Sequence, residues 1–246
     1  MHFHDKTSAR DHVWGELERQ KLGAYPFPVR GRIPNFKGAR EAAVRLLETP
    51  HFQNARQIKV NPDSPQRFVR AEALRRGIQV YVPTPRLAGG FMVLDPAQIP
   101  QDSIWKASAR SNWERYAQPV ALEALPPMDL IVTGCVAITP DGKRAGKGAG
   151  YSDLEFAILR ELGHAPVPVV TTVHDVQVVE DFPIASHDQP LSLIATPTRT
   201  IAIAEPLPEP DGIDWRQLPP DALETMPVLA SLKSLAAPDG GLDGPA

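Results

Sequence analysis

Leu130-Ile131-Val132-Thr133-Gly134-Cys135, a turn at Pro140-Asp141-Gly142, and then Lys143-Arg144-Ala145-Gly146-Lys147-Gly148-Ala149-Gly150-Tyr151-Ser152-Asp153-Leu154-Glu155-Phe156 carry the chain from strand to glycine loop to helix. Unbroken apolarity at Leu130, Ile131 and Val132 predicts a central strand covered on both faces. Gly134 interrupts it, which predicts a bulge or a close backbone approach by a ligand. Alternate glycines at 146, 148 and 150 let backbone amides turn toward one point, because no Cβ blocks positive φ or a nearby ligand. Ser152 and Glu155 have the spacing of a capping box on a helix that reaches Leu162 and stops at Gly163. Free amides at a helix N-terminus, flanked by Arg144 and Lys147, suit a phosphate or another anion. A glycine-rich connection with two solvated cations is the plain alternative.

Upstream of that stretch, Gln57 to Val60 reads as a strand and Asn61-Pro62-Asp63-Ser64-Pro65 as a turn. A helix follows, capped by Ser64, opening at Pro65 and reaching about Arg76, with a strand over Ile78 to Val82. Arg67, Arg70, Arg75 and Arg76 on that helix read as a wet basic face. Val167 to Val173 and Leu191 to Thr196 are further strands. Residues 5–22 and 38–49 read as helices, and Pro50 ends the second. Lys6 and Arg10 lie four apart on one face of the first, where an anion between them would relieve their repulsion. Residues 97–120 are irregular, and Trp105, Trp113 and Tyr116 are expected to pack beneath a long loop rather than line a pocket. His174-Asp175 and His187-Asp188 are weak catalytic signals, since neighbours in a strand point opposite ways. Alternating helix and strand predicts a single α/β, Rossmann-like domain with a mainly parallel sheet. Its ligand should lie beyond the carboxyl ends of the strands.

Composition narrows the class. Hydrophobic residues are 42% of the 246, enough for a substantial core. A formal charge of −3 recruits neither nucleic acid nor an acidic membrane. The lone Cys135 rules out an internal disulfide and reads as a small buried residue rather than a nucleophile. No apolar run is long enough for a membrane helix and no leader is visible, so a cytoplasmic protein, monomeric or weakly dimeric, is expected. The loop is neither G-x-G-x-x-G nor a Walker sequence, which disfavours a dehydrogenase or P-loop ATPase. Residues 1–204 are read as the α/β domain. Residues 205–246 are read as a proline-rich arm, a short helix and a disordered tail.

Arg144-Ala145-Gly146-Lys147-Gly148-Ala149-Gly150-Tyr151-Ser152-Asp153 resembles the R-x-G-x-G-x-G-Y-Y-D motif of 5-formyltetrahydrofolate cyclo-ligases, and Lys6-x-x-x-Arg10 resembles their K-x-x-x-R. Arg32-Ile33-Pro34-Asn35-Phe36-Lys37-Gly38, Lys59-Val60-Asn61-Pro62-Asp63, Val82-Pro83-Thr84-Pro85-Arg86-Leu87 and Ala195-Thr196-Pro197-Thr198-Arg199 are similar to a divergent branch, the methenyltetrahydrofolate synthetase domain proteins. The resemblance implies a three-layer α/β domain of the kind shared with CoA transferases, and a reaction in which ATP phosphorylates the 5-formyl oxygen of the folate. N10 then attacks the activated carbon and phosphate leaves as 5,10-methenyltetrahydrofolate forms. It also implies site roles. Arg144 and Lys147 would be catalytic. Lys6, Arg10, Gly146, Gly148, Gly150, Tyr151 and Ser152 would bind ATP, and Asp153 would bind Mg²⁺. Two departures stand out: the family's second Tyr is Ser152, and the Arg usual after the Asp is Leu154. The family's acidic folate contact has no clear equivalent in Asn61-Pro62-Asp63-Ser64-Pro65-Gln66-Arg67. The alternative is a non-catalytic or regulatory nucleotide- or folate-binding protein with a link to thiamin metabolism.

Overall fold

A computed structural model describes residues 1–236; the expected disordered tail after 236 lies outside them. Its longer helices are α1 (Lys6–Arg19), α2 (Ala39–Leu47), α3 (Arg67–Arg75), α4 (Tyr151–Glu161) and α5 (Pro227–Ala236). The main sheet holds β1 (Gln57–Val60), β2 (Gln79–Pro83), β3 (Phe91–Leu94), β4 (Ala117–Val120), β5 (Leu130–Thr133), β6 (Val169–Thr172), β7 (Leu193–Ala195) and β8 (Thr200–Ala202). Its eight strands run in the order β8-β7-β6-β5-β1-β2-β3-β4. From β7 through β2 all neighbours are parallel; β8 joins β7, β3 joins β2 and β4 joins β3 through antiparallel pairings, leaving β8 and β4 at the edges.

Period-two alternation distributes the buried residues between the two faces. Ile58, Val60, Leu130, Val132 and Val170 pack with Leu46, Val69 and Leu74 of α2 and α3. Ile131, Val169, Ile194 and Tyr81 face the other way, onto Phe156, Ile158 and Leu159 of α4 and Leu229 and Leu232 of α5. The helices over the sheet thus give the expected three layers. α1 lies outside them, with Ala9, Val13 and Leu17 on Val136, Ala137 and Ala145. Ala137–Ile138 and Arg144–Ala145 pair as a short antiparallel ribbon that leads β5 into the glycine loop. Packing on this ribbon is what carries α1 to the site.

Several local expectations need correction. α3 begins at Arg67 without a side-chain cap, so Ser64 does not cap it. α2 stops before Pro50 as expected, and Pro50 itself opens a further helical turn, Pro50–Gln53. The strand Ala117–Val120, placed within an irregular stretch by its polar composition, is recruited by pairing to β3. Trp113 is buried under the loop as expected, whereas Trp105 is exposed, with the Arg67 guanidinium stacked over its ring at 4.0 Å.

Candidate active site at the glycine loop

The helix after the glycine loop starts two residues earlier than a capping box requires. Gly150, at φ +71°, is the N-cap of α4 and offers no side chain to its first turn. Ser152 is already helical, and its Oγ accepts from Asn61 Nδ2 at 2.7 Å. Glu155 turns into the sheet to pair with Lys59 instead of reaching back to an amide. The capping-box reading is therefore wrong: two polar side chains that fit the pattern are drawn into a buried network. The consequence is a helix end with no internal partners. Among the described residues, the N–H groups from Lys147 to Asp153 donate to no protein acceptor. Gly148, at φ +102°, supplies the left-handed turn that aims this run.

Cations converge on the same loop. Arg10 reaches the Gly146 carbonyl at 3.4 Å and lies 3.7 Å from where a Cβ on Gly148 would stand. Lys6, a turn earlier, pairs with the buried Asp188. Arg144 is buried, pairs with Asp153 and donates to the Gly134 carbonyl at 3.3 Å. Burial would raise the Asp153 carboxyl, but the Arg144 guanidinium and the Gln189 N–H at 3.0 Å outweigh it and hold it below the usual carboxylate range. Lys147 is exposed above the loop, and Tyr151 and Gly150 form its rim.

Beneath the loop the floor is polar and closed. Lys59, on β1, pairs with Glu155 and donates to Asn61 Oδ1 at 2.8 Å. Burial pushes the Glu155 carboxyl up, and Lys59 only partly opposes it. Arg70 is also buried, contrary to the wet-face reading. It donates to the carbonyls of Asn61, Asp63 and Ser108, and burial lowers it to about 9. It thereby pins the β1 loop that presents Asp63, whose carboxyl is raised by burial despite nearby Lys147. The close approach foreseen at Gly134 is made by the protein's own side chains: a Cβ there would stand 2.8 Å from Asp63 Oδ2 and 3.2 Å from Gln66 Oε1. A carboxylate does enter the cavity from the β1 loop, where none was expected. Cys135 is buried and pushed up to about 11, so it remains a packed thiol.

Two cavities meet at this point. One, of about 510 Å³, lies over the ends of β1, β2 and β5 and includes Asp63, Arg110, Arg144, Lys147 and Glu155. The second, about 730 Å³, lies between α4 and residues 212–226 of the arm. Ala149, Gly150, Tyr151, Asp153 and Arg86 line both. Arg86 and Leu87 hold left-handed backbone, an uncommon conformation for side-chain-bearing residues.

The sequence profile described as "5-formyltetrahydrofolate cyclo-ligase family" matches residues 6–197. The chain belongs to this family. A relative in Mus musculus, named methenyltetrahydrofolate synthase domain-containing protein, is 40% identical over 235 residues, covering 93% of this chain and 63% of that protein. The chain thus spans less than two thirds of the length of such relatives. The 5-formyltetrahydrofolate cyclo-ligase of Escherichia coli (strain K12) is 26% identical over 166 residues, covering 65% of this chain and 88% of that enzyme. The solved Aquifex aeolicus 5,10-methenyltetrahydrofolate synthetase shares the fold, with a TM-score of 0.51 at 18% identity, covering 81% of this chain and 93% of that one. The cyclo-ligase family membership fits the α/β architecture and the position of the loop.

Sequence reasoning placed Lys6, Arg10, Arg144, Lys147, the three loop glycines, Tyr151, Ser152 and Asp153 in one site, and the structure brings all of them around the loop. It missed Lys59, Asn61, Asp63, Arg70, Asp188 and Gln189. The signals for the first three were their clustering at the end of a strand and the likeness of Lys59-Val60-Asn61-Pro62-Asp63 to the divergent branch, and Asp188 belonged to the weak His187-Asp188 signal; Arg70 and Gln189 carried none. Among the described residues no helix is long and apolar enough to cross a membrane.

Proposed function

We propose that this family member is an ATP- and Mg²⁺-dependent cyclo-ligase that converts 5-formyltetrahydrofolate, or a closely related N-formyl substrate, through a phosphorylated intermediate. One observation carries the reading: the run of unpartnered amides from Lys147 to Asp153, ringed by Lys6, Arg10 and Arg144. Phosphoryl transfer depends mainly on positioning and charge neutralisation, which such a loop supplies.

The residues also fit the two groups that the family implies. Arg144 Nε and both amide atoms of Gln189 are buried without partners around Asp153, so hydrogen-bonding capacity is left for phosphate oxygens or water. Among the described residues no cluster of three or more His, Cys, Asp or Glu forms a ready-made metal cage. Mg²⁺ requires none, since it commonly takes one or two carboxylates with phosphate and water. Asp153 and Asp188 would hold it, where it would neutralise charge on the transferred group. The amides of 147–153 receive the phosphates, and Arg144 and Lys147 face the transferring group. Asp63, with its carboxyl in the cavity over the strand ends, can pair with the N–H-rich edge of a pterin.

Incubation with 5-formyltetrahydrofolate, ATP and Mg²⁺ should give the near-ultraviolet absorbance of the methenyl product together with ADP. Neither product nor ADP from any N-formyl folate would reject an enzymatic role and leave the non-catalytic binder.

A further inference from the structure

The arm-side compartment has no part in the chemistry described so far. Its far wall, residues 212–226, lies beyond the family-wide match that ends at 197. Its near wall is the exposed edge of α4, and the glycine loop stands at its mouth.

The arm is fastened to α4 at two levels. The Ile213 N–H donates to Glu161 Oε1 at 2.8 Å, at a point where a Cβ on Gly212 would stand 2.6 Å from that oxygen. Further along, Met226, Val228, Leu229 and Leu232 are buried in the cluster that contains Phe156 and Ile158. The space between these anchors is therefore walled by packed structure on both sides.

Its chemistry is one-sided. Tyr151, Leu154, Ala157, Ile213, Leu218 and Met226 give apolar walls. Asp153, Asp214, Asp221, Gln217 and Thr225 add carboxylate, amide and hydroxyl oxygens, with Asp214 Oδ2 already accepting from Gln217 Nε2 at 2.7 Å. His187 also lines the space, and Arg86, shared with the other cavity, is the one Lys or Arg among its lining residues. Phosphates are disfavoured inside, where Asp214 and Asp221 add two carboxylates to that of Asp153 at the mouth. A flat, uncharged ring with exocyclic N–H donors is favoured, because the walls bury its faces and the oxygens accept from its edge. The opposite cavity, with Asp63, Glu155, Lys147 and Arg110, suits a charged or strongly polar reactant instead.

Resting on the phosphate reading of the glycine loop, we propose that the arm-built compartment takes the heteroaromatic base of the nucleotide whose phosphates lie on the loop. The acceptor substrate then occupies the cavity over the strand ends, and the two reactants meet at Gly150 and Asp153. The arm is accordingly a nucleotide-selecting element added to the family domain.

Calorimetric titration of the full chain with ATP and, separately, with inorganic tripolyphosphate tests this. Wild type should bind ATP at least tenfold more tightly than tripolyphosphate. Gln217→Trp and Thr225→Trp, each filling the compartment from an exposed wall position, should cut ATP affinity at least tenfold and leave tripolyphosphate binding unchanged. Thermal melts check that both variants fold. If tripolyphosphate binds wild type as tightly as ATP, or if both filled variants keep ATP while losing 5-formyltetrahydrofolate, the base is not in this compartment and the proposal falls alone. If wild type binds neither polyanion, the phosphate reading falls and this proposal falls with it.

Discussion

The cavity over the strand ends and the compartment beneath the arm share five lining residues, yet their remaining walls are chemically opposed. The first is built from buried ion pairs and from side chains at the ends of parallel strands, where a doubly covered sheet places its ligands. The second is built late in the chain, by packing an apolar segment against a helix that the sheet has already fixed. In one, electrostatic cost is high and every group is positioned by another. In the other, apolar contact dominates and single side chains can change with little disturbance. Substitutions should therefore act unequally on the two sides.

The largest effect is expected at Arg144. Arg144→Ala leaves the Asp153 carboxylate unpaired in a mostly buried setting, which costs about 3–5 kcal/mol. Urea unfolding should show this loss, and calorimetry should show weakened nucleotide binding. Next comes the closed floor. Lys59→Met strands Glu155, but that carboxyl is already inclined to take a proton, so the expected loss is about 1–3 kcal/mol. The double variant Lys59→Met with Glu155→Leu should recover much of it. Unfolding midpoints of the single and double variants give the coupling directly. Gly134→Ala should cost about 1–3 kcal/mol, because its new methyl meets Asp63 and Ile33. It should raise the KM for the acceptor more than that for ATP.

The pH dependence separates the groups by sign. The Asp153 carboxyl is depressed, so its stabilisation is present above the ordinary carboxylate pKa and is lost as pH falls through its lower folded value. Asp63 and Glu155 are raised, so their contribution is present at low pH and is lost as pH rises through their folded values. Asp153→Asn should therefore flatten the acid limb of a melting-temperature profile, and Asp63→Asn the limb above it. The smallest effect belongs to the arm. Gly212→Ala crowds only the end of the Glu161 side chain, costing below about 1 kcal/mol. Faster hydrogen exchange at the Ile213 amide, with the sheet unchanged, would report it.

The sheet was legible because its signal is repeated: Leu130, Ile131 and Val132 read as doubly covered, and five parallel strands follow from strand–helix alternation. The anion loop was legible because glycine spacing constrains backbone directly. Ser152 and Glu155 misled because a capping box and a buried network use the same residue types, and only the tertiary neighbours Asn61 and Lys59 decide between them. Arg70 was misread for a related reason. Its charge predicts exposure, while three backbone carbonyls that only the folded loop brings together satisfy it inside. The arm compartment was illegible, since its two walls lie far apart in the chain and residues 212–226 carry no motif.

The cover that α5 gives α4 also has a consequence for biosynthesis. A ribosome releases Phe156, Ile158 and Leu159 well before Leu229 and Leu232, the residues that bury them from above. Until those appear, the nascent chain presents a sticky apolar ridge beside a nearly finished sheet. Residues 226–232 thus complete the cover of α4 late, and a chain stalled before them becomes a natural client for chaperones that hold exposed apolar surface.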